Sequence, residues 1–370
     1  MHRFEQDLLF DQLAERNELS STQLLELTDH VVAFHKDAEI RNDQGGVAAM
    51  RWVVEDNMDE LSAMSDVFAP PRFATLRTLS TAALENCSET LERRRAEGFV
   101  RHCHGDLHLR NICMFENRPT LFDCIEFSDA IACIDTLYDL SFLLMDLDHR
   151  GRRDFVNLIF NRYMALTGDT YGLMNLPLFL SCRAAIRAKI AAVTSVASTV
   201  GTSTTHEEAR TYAELAIDYL EVEPPRLVAV GGQPGCGKST LAQAIAPLLG
   251  PAPGALIIRS DVLRKRRFGR GMFETLPQSC YSADAILKTY ADVFEDASAA
   301  LNAGMSVIVD AVFRNPSQRA AIKKAARQAG IPFTGIWLDA PRDLRADRIS
   351  GRGPDASDAT ADLVLKHADM

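Results

Sequence analysis

Hydrophobic residues in the first part of the chain recur three or four positions apart, the spacing of one face of an α-helix. Leu8, Leu9 and Leu13 follow this spacing, and Ser20 with Gln23 gives the capping-box signal for the next helix. The pattern predicts helices over residues 4–16, 22–37, 47–67, 73–97, 152–166, 176–198 and, after a second capping box at Thr205 and Glu208, up to Leu220. Residues 1–220 are therefore predicted to form a mostly helical domain.

The C-terminal part has a different pattern, in which short apolar runs alternate with helical stretches. The runs span 227–230, 255–261, 306–310 and 333–338, and each has the length of a buried strand. Strands that alternate with helices are typical of a parallel sheet covered on both faces. Residues 226–370 are therefore predicted to form a three-layer α/β/α domain, and the proline-containing segment 221–225 a linker. The last strand of such a domain is expected to be missing from this chain.

Length and composition agree with two domains. One hydrophobic core rarely extends beyond about 250–300 residues, and this chain has 370. Its 47% hydrophobic and 24% charged residues are typical of globular proteins. The net charge of −10 divides into −15 for residues 1–225 and +5 for residues 226–370. An acidic first part argues against nucleic-acid binding there, so nucleic acid is not expected as a partner.

No feature of the sequence predicts secretion or membrane insertion. The first seven residues include the acidic Glu5 and Asp7, where a signal peptide needs a basic and then an apolar run. The most apolar region, 178–200, is interrupted by Arg183, Arg187 and Lys189. The eight cysteines form no C-x-x-C pair and match no zinc-site spacing. We expect a cytoplasmic protein with reduced thiols, no membrane contact and no obligate protein partner.

A phosphate-binding loop is the most specific motif of the chain. Gly232 to Ser239 satisfies G-x-x-x-x-G-K-[ST] between a predicted strand and a predicted helix, where backbone N–H groups surround phosphates. Lys238 is expected to reach the β- and γ-phosphates, and Ser239 to hold Mg²⁺. The predicted nucleotide-binding residues are Gly232, Gln233, Pro234, Gly235, Cys236, Gly237, Lys238, Ser239 and Thr240. The predicted cofactors are ATP, with GTP left open in its place, and Mg²⁺.

Charged residues after the later strands complete a candidate site for phosphoryl transfer. Ligands of parallel sheets bind at the carboxyl ends of the strands, so Asp261 is a candidate to position or deprotonate an acceptor hydroxyl. Asp310, at the end of the third run, is a candidate to organise Mg²⁺. Arg348 and Arg352, one turn apart and followed by glycine, resemble a lid whose arginines stabilise the transferring phosphoryl group. Arg264, one turn from Asp261, is a candidate to grip an anionic acceptor, whereas the other basic residues of 264–270 fit a solvated helix face equally well.

A second polar cluster lies in the first part, in the sequence H-C-H-G-D-L-H-L-R-N-I that starts at residue 102. Asp106, Asn111 and Asp123 have the order that protein-kinase-type phosphotransferases use. In that chemistry the first carboxylate accepts the proton of the acceptor, and the other two side chains hold metal ions. Residues 115–120 are predicted to form a tight hairpin that brings the three side chains together.

This stretch resembles the catalytic loop of the aminoglycoside phosphotransferase and choline kinase family, whose motif is H-G-D-x-H-x-x-N. The resemblance implies these roles: Asp106 as catalytic base, Asn111 and Asp123 as metal ligands, His104 as a brace, and Asp135 and Asp139 as supports from the next helix. The family also has an N-terminal lobe with a glycine-rich loop and a strand lysine, and neither occurs before His104. Either that lobe is missing from this chain or this half is an inactive scaffold.

Residues 226–370 resemble the small-molecule P-loop kinases, in the neighbourhood of gluconate kinase, adenylylsulfate kinase and zeta-toxin-like enzymes. The sequence D-A-S-D-A at 355–359 resembles a signature of bacterial proteins that fuse an aminoglycoside-phosphotransferase-like half to such a kinase. Both halves match that two-domain family in this order, over nearly the whole chain. The chain is expected to be truncated at both ends relative to the family.

The predicted function is ATP-dependent transfer of the γ-phosphate to a hydroxyl group of a small molecule, neutral or anionic, by the C-terminal domain. Two alternatives stay open. One is a nucleotide-sensing protein without catalysis, whose kinase-like half binds a ligand or partner. The other is a zeta-toxin-like or polynucleotide kinase, which the basic segment 264–270 favours. The acceptor cannot be identified from the sequence, because acceptor pockets in this fold are built from variable loops.

Overall fold

The structure is a computed structural model that describes residues 5–64, 67–197 and 202–366. The chain forms two compact units. The N-terminal unit comprises Met1–Tyr163, Tyr171–Val222 and Pro251–Pro253, and the C-terminal unit comprises Met164–Thr170, Glu223–Gly250 and Gly254–Met370. The main division falls between Val222 and Glu223, inside the segment predicted as a linker. Residue 4, where the first predicted helix begins, residue 198, where another ends, and residues 65 and 66, inside the helix predicted over 47–67, lie outside the described residues.

The first 220 residues are mostly helical, which confirms the predicted fold class. Their α-helices are α1 Phe10–Glu15, α2 Ser21–Asp37, α3 Gly46–Ser62, α4 Pro70–Ala96, α5 Asp129–Ala132, α6 Thr136–His149, α7 Arg153–Thr167, α8 Leu176–Ala197 and α9 Thr202–Asp218. The capping box of α2 is confirmed, since the Gln23 N–H donates to Ser20 Oγ and the Ser20 N–H donates to Gln23 Oε1. Helix α6 is buried on all faces from Thr136 to Leu147 and is the central helix of the unit.

Three of the predicted helix bounds are wrong. The single helix over 4–16 is interrupted at Leu9, whose backbone is extended and separates a 3-10 helix, Gln6–Leu8, from α1. Helix α3 ends at Ser62 rather than near 67. Helix α9 begins at Thr202, so Thr205 lies within the helix and not at its N-cap. The second and third errors lie at helix ends, where local signals compete.

Two short antiparallel pairs lie in the N-terminal unit. Strand β1 Val100–His102 pairs with β4 Cys133–Asp135, and β2 Ile112–Phe115 pairs with β3 Arg118–Leu121. The second pair is the predicted hairpin. Its turn residues Glu116 and Asn117 have φ values of 50° and 59°, which a tight two-residue turn requires. The hairpin lies directly between the two parts of the polar cluster predicted from sequence.

The C-terminal unit contains a four-stranded parallel sheet in its described residues, which confirms the predicted α/β/α class. The strands are β5 Leu227–Gly232, β6 Leu256–Arg259, β7 Val307–Asp310 and β8 Phe333–Leu338, in the order β6-β7-β5-β8. The helices are α10 Lys238–Ile245, α11 Ser260–Arg267, α12 Ala283–Asn302, α13 Pro316–Gln328, α14 Arg342–Ser350 and α15 Ala361–Lys366. Because every pair is parallel, all carboxyl ends lie at one edge of the sheet.

One predicted strand end is wrong. Strand β6 stops at Arg259 and α11 starts at Ser260, so Asp261 lies in the first turn of a helix rather than at the end of a strand. Among the described residues, no helix is long and apolar enough to cross a bilayer. All eight cysteines are described, and none is in a disulfide.

Candidate active site

The loop between β5 and α10 has a backbone that requires glycine at two positions. Gly237 caps α10 with a φ of 97°, and Gly235 has a φ of 81°. A Cβ atom at Gly235 would lie only 2.6 Å from the carbonyl oxygen of Arg345, so α14 passes directly against the loop. Lys238 is the first residue of α10, and its Nζ donates to the Gln233 carbonyl at 3.1 Å. The lysine therefore lies folded over its own loop.

Ser239 and Asp310 meet at the carboxyl edge of the sheet. Ser239 Oγ donates to Asp310 Oδ2 at 2.6 Å, and Asp310 is only 5% exposed. Burial raises the pKa of Asp310, while the Ser239 hydrogen bond and the charges of Lys238 and Arg259 act in the opposite direction. A hydroxyl and a buried carboxylate are oxygen donors of the type that Mg²⁺ prefers. These two residues therefore fit the predicted metal.

Arg259 is a site residue that the sequence reasoning missed. Its Nε lies 3.6 Å from Asp310 Oδ2, and its Nη2 donates to Asp355 Oδ1 at 3.0 Å. Arg259 ends β6, and its Cα pairs with that of Asp310 across the parallel ladder. The strand-end rule that selected Asp310 would have selected Arg259 too, had the end of β6 been placed correctly.

The acceptor side of the edge is built on α11. Asp261 Oδ1 accepts a 2.8 Å hydrogen bond from Arg264 Nη1, one turn further along the helix. Arg264 is 7% exposed, and its guanidinium lies 4.8 Å from the centre of the Tyr281 ring. Arg264 Nε has no hydrogen-bond partner among the described residues. The chain therefore presents a carboxylate and a largely buried cation side by side.

The two predicted lid arginines have different surroundings. Arg348 Nη1 lies 3.9 Å from the point that a Cβ atom of Gly237 would occupy, so Arg348 reaches the phosphate loop. Arg352 is held by the segment that follows it: its Nη2 donates to the Ser357 carbonyl at 3.0 Å, and its Nη1 lies 3.4 Å from Asp355 Oδ1. The structure thus brings one of these arginines to the loop and ties the other to residues 355–357.

One cavity of about 1260 Å³ joins these groups. Its walls include nearly all the residues predicted for this site: Gln233, Pro234, Gly235, Gly237, Lys238, Ser239, Thr240, Asp261, Asp310, Arg348 and Arg352. Gly232 and Cys236, which are also predicted to bind nucleotide, are buried and do not line it. Nucleotide-side and acceptor-side candidates therefore share a single space.

The polar cluster of the N-terminal unit is centred on Asp106 and Asn111. Asn111 Nδ2 donates to the Asp106 carbonyl and to Asp106 Oδ2, both at 2.9 Å. His108 Nε2 lies 3.3 Å from the same carboxylate. Burial raises the pKa of Asp106, but the His108 and Asn111 hydrogen bonds and the charge of Arg183 outweigh it, so that pKa is lowered. The structure therefore brings two of the three predicted side chains into direct contact.

Asp123 is placed differently from Asp106 and Asn111. It follows β3 in the left-handed region, with a φ of 61°, and its side chain is exposed. The preceding residue, Phe122, donates its N–H to the Asn111 carbonyl at 3.1 Å. No hydrogen bond links the Asp123 side chain to Asp106 or Asn111 among the described residues. The hairpin thus aligns the backbones without joining this carboxylate to the other two groups.

The loop of Asp106 is supported by a buried aspartate of α6. Asp139 accepts hydrogen bonds from the N–H groups of Gly105, at 2.9 Å, and His104, at 3.2 Å, and contacts His35 Nε2 at 3.0 Å. His104 accepts from the Asp106 N–H through Nδ1, so its Nε2 carries the proton that it donates to the Phe122 carbonyl. His104 therefore joins the loop to the end of the hairpin.

Asp135 does not support this loop. Its carboxylate pairs with the fully buried Arg94 and caps the first turn of α6 through the Leu137 N–H. Asp146, which the sequence reasoning missed, accepts from the Leu109 N–H at 3.0 Å instead. Asp139 and Asp146 are seven residues apart on α6, and this two-turn spacing was the signal that could have identified the second one.

Comparison with known proteins shows the family to which the chain belongs. A family model described as an AAA domain matches residues 227–368, and no family model matches the helical part before it. Uncharacterized proteins of Mycobacterium tuberculosis and Mycobacterium bovis are each 30% identical over 349 residues, which cover 91% of this chain and 68% of theirs. The chain belongs to the family of these mycobacterial proteins. Its C-terminal unit is a P-loop nucleotide-binding domain of the kinase-like type.

These matches also limit what is known of the family. The names of these relatives state no activity, so they assign neither a reaction nor an acceptor to this chain. The resemblance of residues 1–220 to aminoglycoside phosphotransferases has no counterpart among the matches.

Proposed function

We propose that the C-terminal unit is an ATP-dependent kinase that transfers the γ-phosphoryl group to a hydroxyl of a small molecule. The observation that carries this proposal is that the Ser239–Asp310 pair and Asp261 line the same cavity. Sites for one small ligand are typically about 300–1,000 Å³, and this cavity measures about 1260 Å³. That volume supports a nucleotide together with a second substrate.

On the nucleotide side, the loop from Gly232 to Thr240 binds the phosphates of ATP through its backbone N–H groups. Lys238 exchanges the Gln233 carbonyl for the β- and γ-phosphates. Ser239 and Asp310 would hold Mg²⁺, which would neutralise negative charge on the phosphate oxygens. The cation also offsets the unfavourable burial of the Asp310 carboxylate.

On the acceptor side, Asp261 is the residue that positions the hydroxyl and accepts its proton. Arg264 orients the Asp261 carboxylate through their 2.8 Å hydrogen bond. Its buried positive charge also favours an acceptor that carries a carboxylate or phosphate group. The acceptor is accordingly a small hydroxylated molecule, either neutral or anionic, and neither nucleic acid nor membrane is needed as a partner.

The lid supplies positive charge for the transferring phosphoryl group. Arg348 reaches the loop, and Arg352 lies two residues after the end of α14. Arginines placed there stabilise charge that develops in the transition state. Arg352 must first leave the Ser357 carbonyl, so its contribution requires the lid to move.

The contact between Asn111 and Asp106 favours a second phosphoryl-transfer site in the N-terminal unit. Asp106 would act there as the base, with Asn111 and Asp123 as metal ligands. We place the activity in the C-terminal unit because its nucleotide motif is complete. We also expect the protein to work in the cytoplasm, where ATP is abundant.

An ATP-consumption screen with hydroxylated metabolites tests the proposal. Wild type should consume ATP in the presence of an acceptor, Lys238→Ala should not, and Asp106→Ala should retain the activity. The opposite response of the two variants would assign the reaction to the N-terminal unit. No ATP consumption with any acceptor, together with unchanged nucleotide binding by Lys238→Ala, would contradict the proposal.

A further inference from the structure

The D-A-S-D-A segment, residues 355–359, has no role yet in the proposed reaction. It follows α14 and lines the cavity through Asp355, Ser357, Asp358 and Ala359. Between its two aspartates, Ala356 is 1% exposed. The segment is therefore packed into the unit at its middle, with one aspartate on each side of the buried alanine.

Asp358 anchors the segment beneath the acceptor side. Its Oδ1 lies 2.9 Å from Nζ of Lys265, which is 1% exposed, and its Oδ2 accepts from the Tyr281 hydroxyl and the Leu276 N–H. The Lys265 contact is an ion pair without hydrogen-bond alignment, since this ammonium has no hydrogen-bond partner among the described residues. A buried cation and carboxylate in contact make Asp358 a structural residue.

Asp355 has a different set of partners, which point to the nucleotide side. Its Oδ1 accepts from Arg259 Nη2 at 3.0 Å and lies 3.4 Å from Arg352 Nη1. The same oxygen accepts from the Ser357 N–H at 2.8 Å, and this turn fixes the direction of the carboxylate. One partly exposed carboxylate thus holds an arginine of the sheet edge and an arginine of the lid.

Arg259 is shared between two carboxylates. Its Nε lies 3.6 Å from Asp310 Oδ2, the oxygen that also accepts from Ser239, while its Nη2 is bonded to Asp355. A guanidinium that loses one carboxylate partner is free to form a bidentate pair with the other. Without Asp355, Arg259 would compete with a metal ion for the Asp310 carboxylate.

We propose that Asp355 is a positioning residue for the Mg²⁺–nucleotide complex, because by holding Arg259 it leaves Asp310 available to the metal. The proposal rests on the proposed function, since it assumes that Ser239 and Asp310 hold Mg²⁺. Through Arg352, Asp355 also links the lid to this carboxylate network. The first aspartate of the D-A-S-D-A segment thereby acts on the metal site through Arg259.

The test measures binding of a fluorescent ATP analogue to the full chain while Mg²⁺ is titrated, with EDTA as the metal-free reference. Loss of an outer-shell partner of a metal site typically weakens metal affinity about tenfold or more, so Asp355→Asn should raise the half-saturating Mg²⁺ concentration about tenfold. Binding in EDTA should stay unchanged. Asp362→Asn removes the same charge from an exposed position and should behave like wild type.

A double variant separates positioning from general damage. Arg259→Gln combined with Asp355→Asn removes the competing guanidinium, so the Mg²⁺ requirement should return toward that of wild type. An Asp355→Asn protein with an unchanged Mg²⁺ requirement would overturn the proposal, as would a double variant as impaired as the single one. Equal losses in Mg²⁺ and in EDTA would also overturn it. Wild type that binds no nucleotide, or binds it independently of Lys238, would instead refute the proposed function and this inference with it.

Discussion

Ser239 Oγ lies 2.6 Å from Asp310 Oδ2, so a single hydrogen bond joins the first turn of α10 to the end of β7. The contact follows from the strand order, because β7 lies next to β5 and the loop after β5 leads into α10. Both groups offer oxygen atoms as ligands for a metal ion, and they approach each other at the edge where parallel sheets bind ligands. The metal-binding half of the proposed site is therefore a consequence of sheet topology.

Substitution of Ser239 should affect nucleotide binding only when Mg²⁺ is present. Ser239→Ala removes an oxygen ligand, and we expect Mg²⁺-dependent affinity for ATP to fall by about tenfold or more. Ser239→Thr keeps the hydroxyl and is the matched control, since the P-loop motif accepts either residue. Titration calorimetry with and without Mg²⁺ measures both. Equal affinities for the alanine and threonine variants would show that the hydroxyl holds no metal.

Substitution of Asp261 should separate catalysis from binding. Asp261→Asn keeps the size of the side chain but removes the proton acceptor, so kcat should fall by about 10²–10⁴-fold. The dissociation constant of Mg²⁺–ATP should stay unchanged, because Asp261 lies on the acceptor side. Asp106→Asn, the same change in the N-terminal unit, should leave kcat unaltered. Steady-state kinetics with an identified acceptor would contradict the assignment if Asp261→Asn kept full activity.

The Lys265–Asp358 pair should contribute strongly to the stability of the C-terminal unit. Removing one partner of a buried ion pair leaves an uncompensated charge, and Asp358→Asn should lower the unfolding free energy by about 3 kcal/mol. Trp337 is the tryptophan of this unit, and Trp52 belongs to the other unit. In a Trp52→Phe background, tryptophan fluorescence during urea unfolding therefore reports on the C-terminal unit alone. Asp362→Asn is the exposed control. If Asp358→Asn lowered the unfolding free energy as little as Asp362→Asn does, the ion pair would not be important for stability.

Asp139 should make the N-terminal unit sensitive to acid. Burial raises the pKa of Asp139, but the hydrogen bond from His35 and the positive charge of Arg183 act in the opposite direction, and that pKa is lowered. The stabilisation is therefore present above the unfolded-chain pKa of about 4 and is lost as the pH falls through the lower folded value. Trp52 fluorescence in a Trp337→Phe background should show this loss in urea unfolding. In Asp139→Asn, the free energy of unfolding should fall less as the pH is lowered. An unchanged dependence on pH would mean that other groups cause the acid sensitivity.

Much of the fold was predictable because its signals are local. The apolar runs of the sheet and the glycine loop follow from neighbouring residues, as does the hairpin before Asp123. The end of β6 was misplaced because the strand was extended from the apolar residues 255–258 to Asp261, whereas the helix that contains Asp261 and Arg264 starts at Ser260. Arg259 was overlooked for the same reason.

Contacts that depend on register or on side-chain direction could not be predicted. Asp135 and Asp139 are one turn apart in sequence, yet one pairs with Arg94 and the other supports the loop of Asp106. Nothing in the sequence alone separates a helix cap from a loop support four residues later. The partners of Asp355 likewise depend on how the chain returns to the sheet after α14.

Transfer of radiolabelled γ-phosphate from ATP to an acceptor found by the screen tests the kinase proposal most directly. Wild type should label the acceptor, and Lys238→Ala and Asp261→Asn should both lose the labelling, while Asp106→Asn retains it. Tight nucleotide binding by wild type without any labelled acceptor would contradict the proposal and would favour a nucleotide sensor.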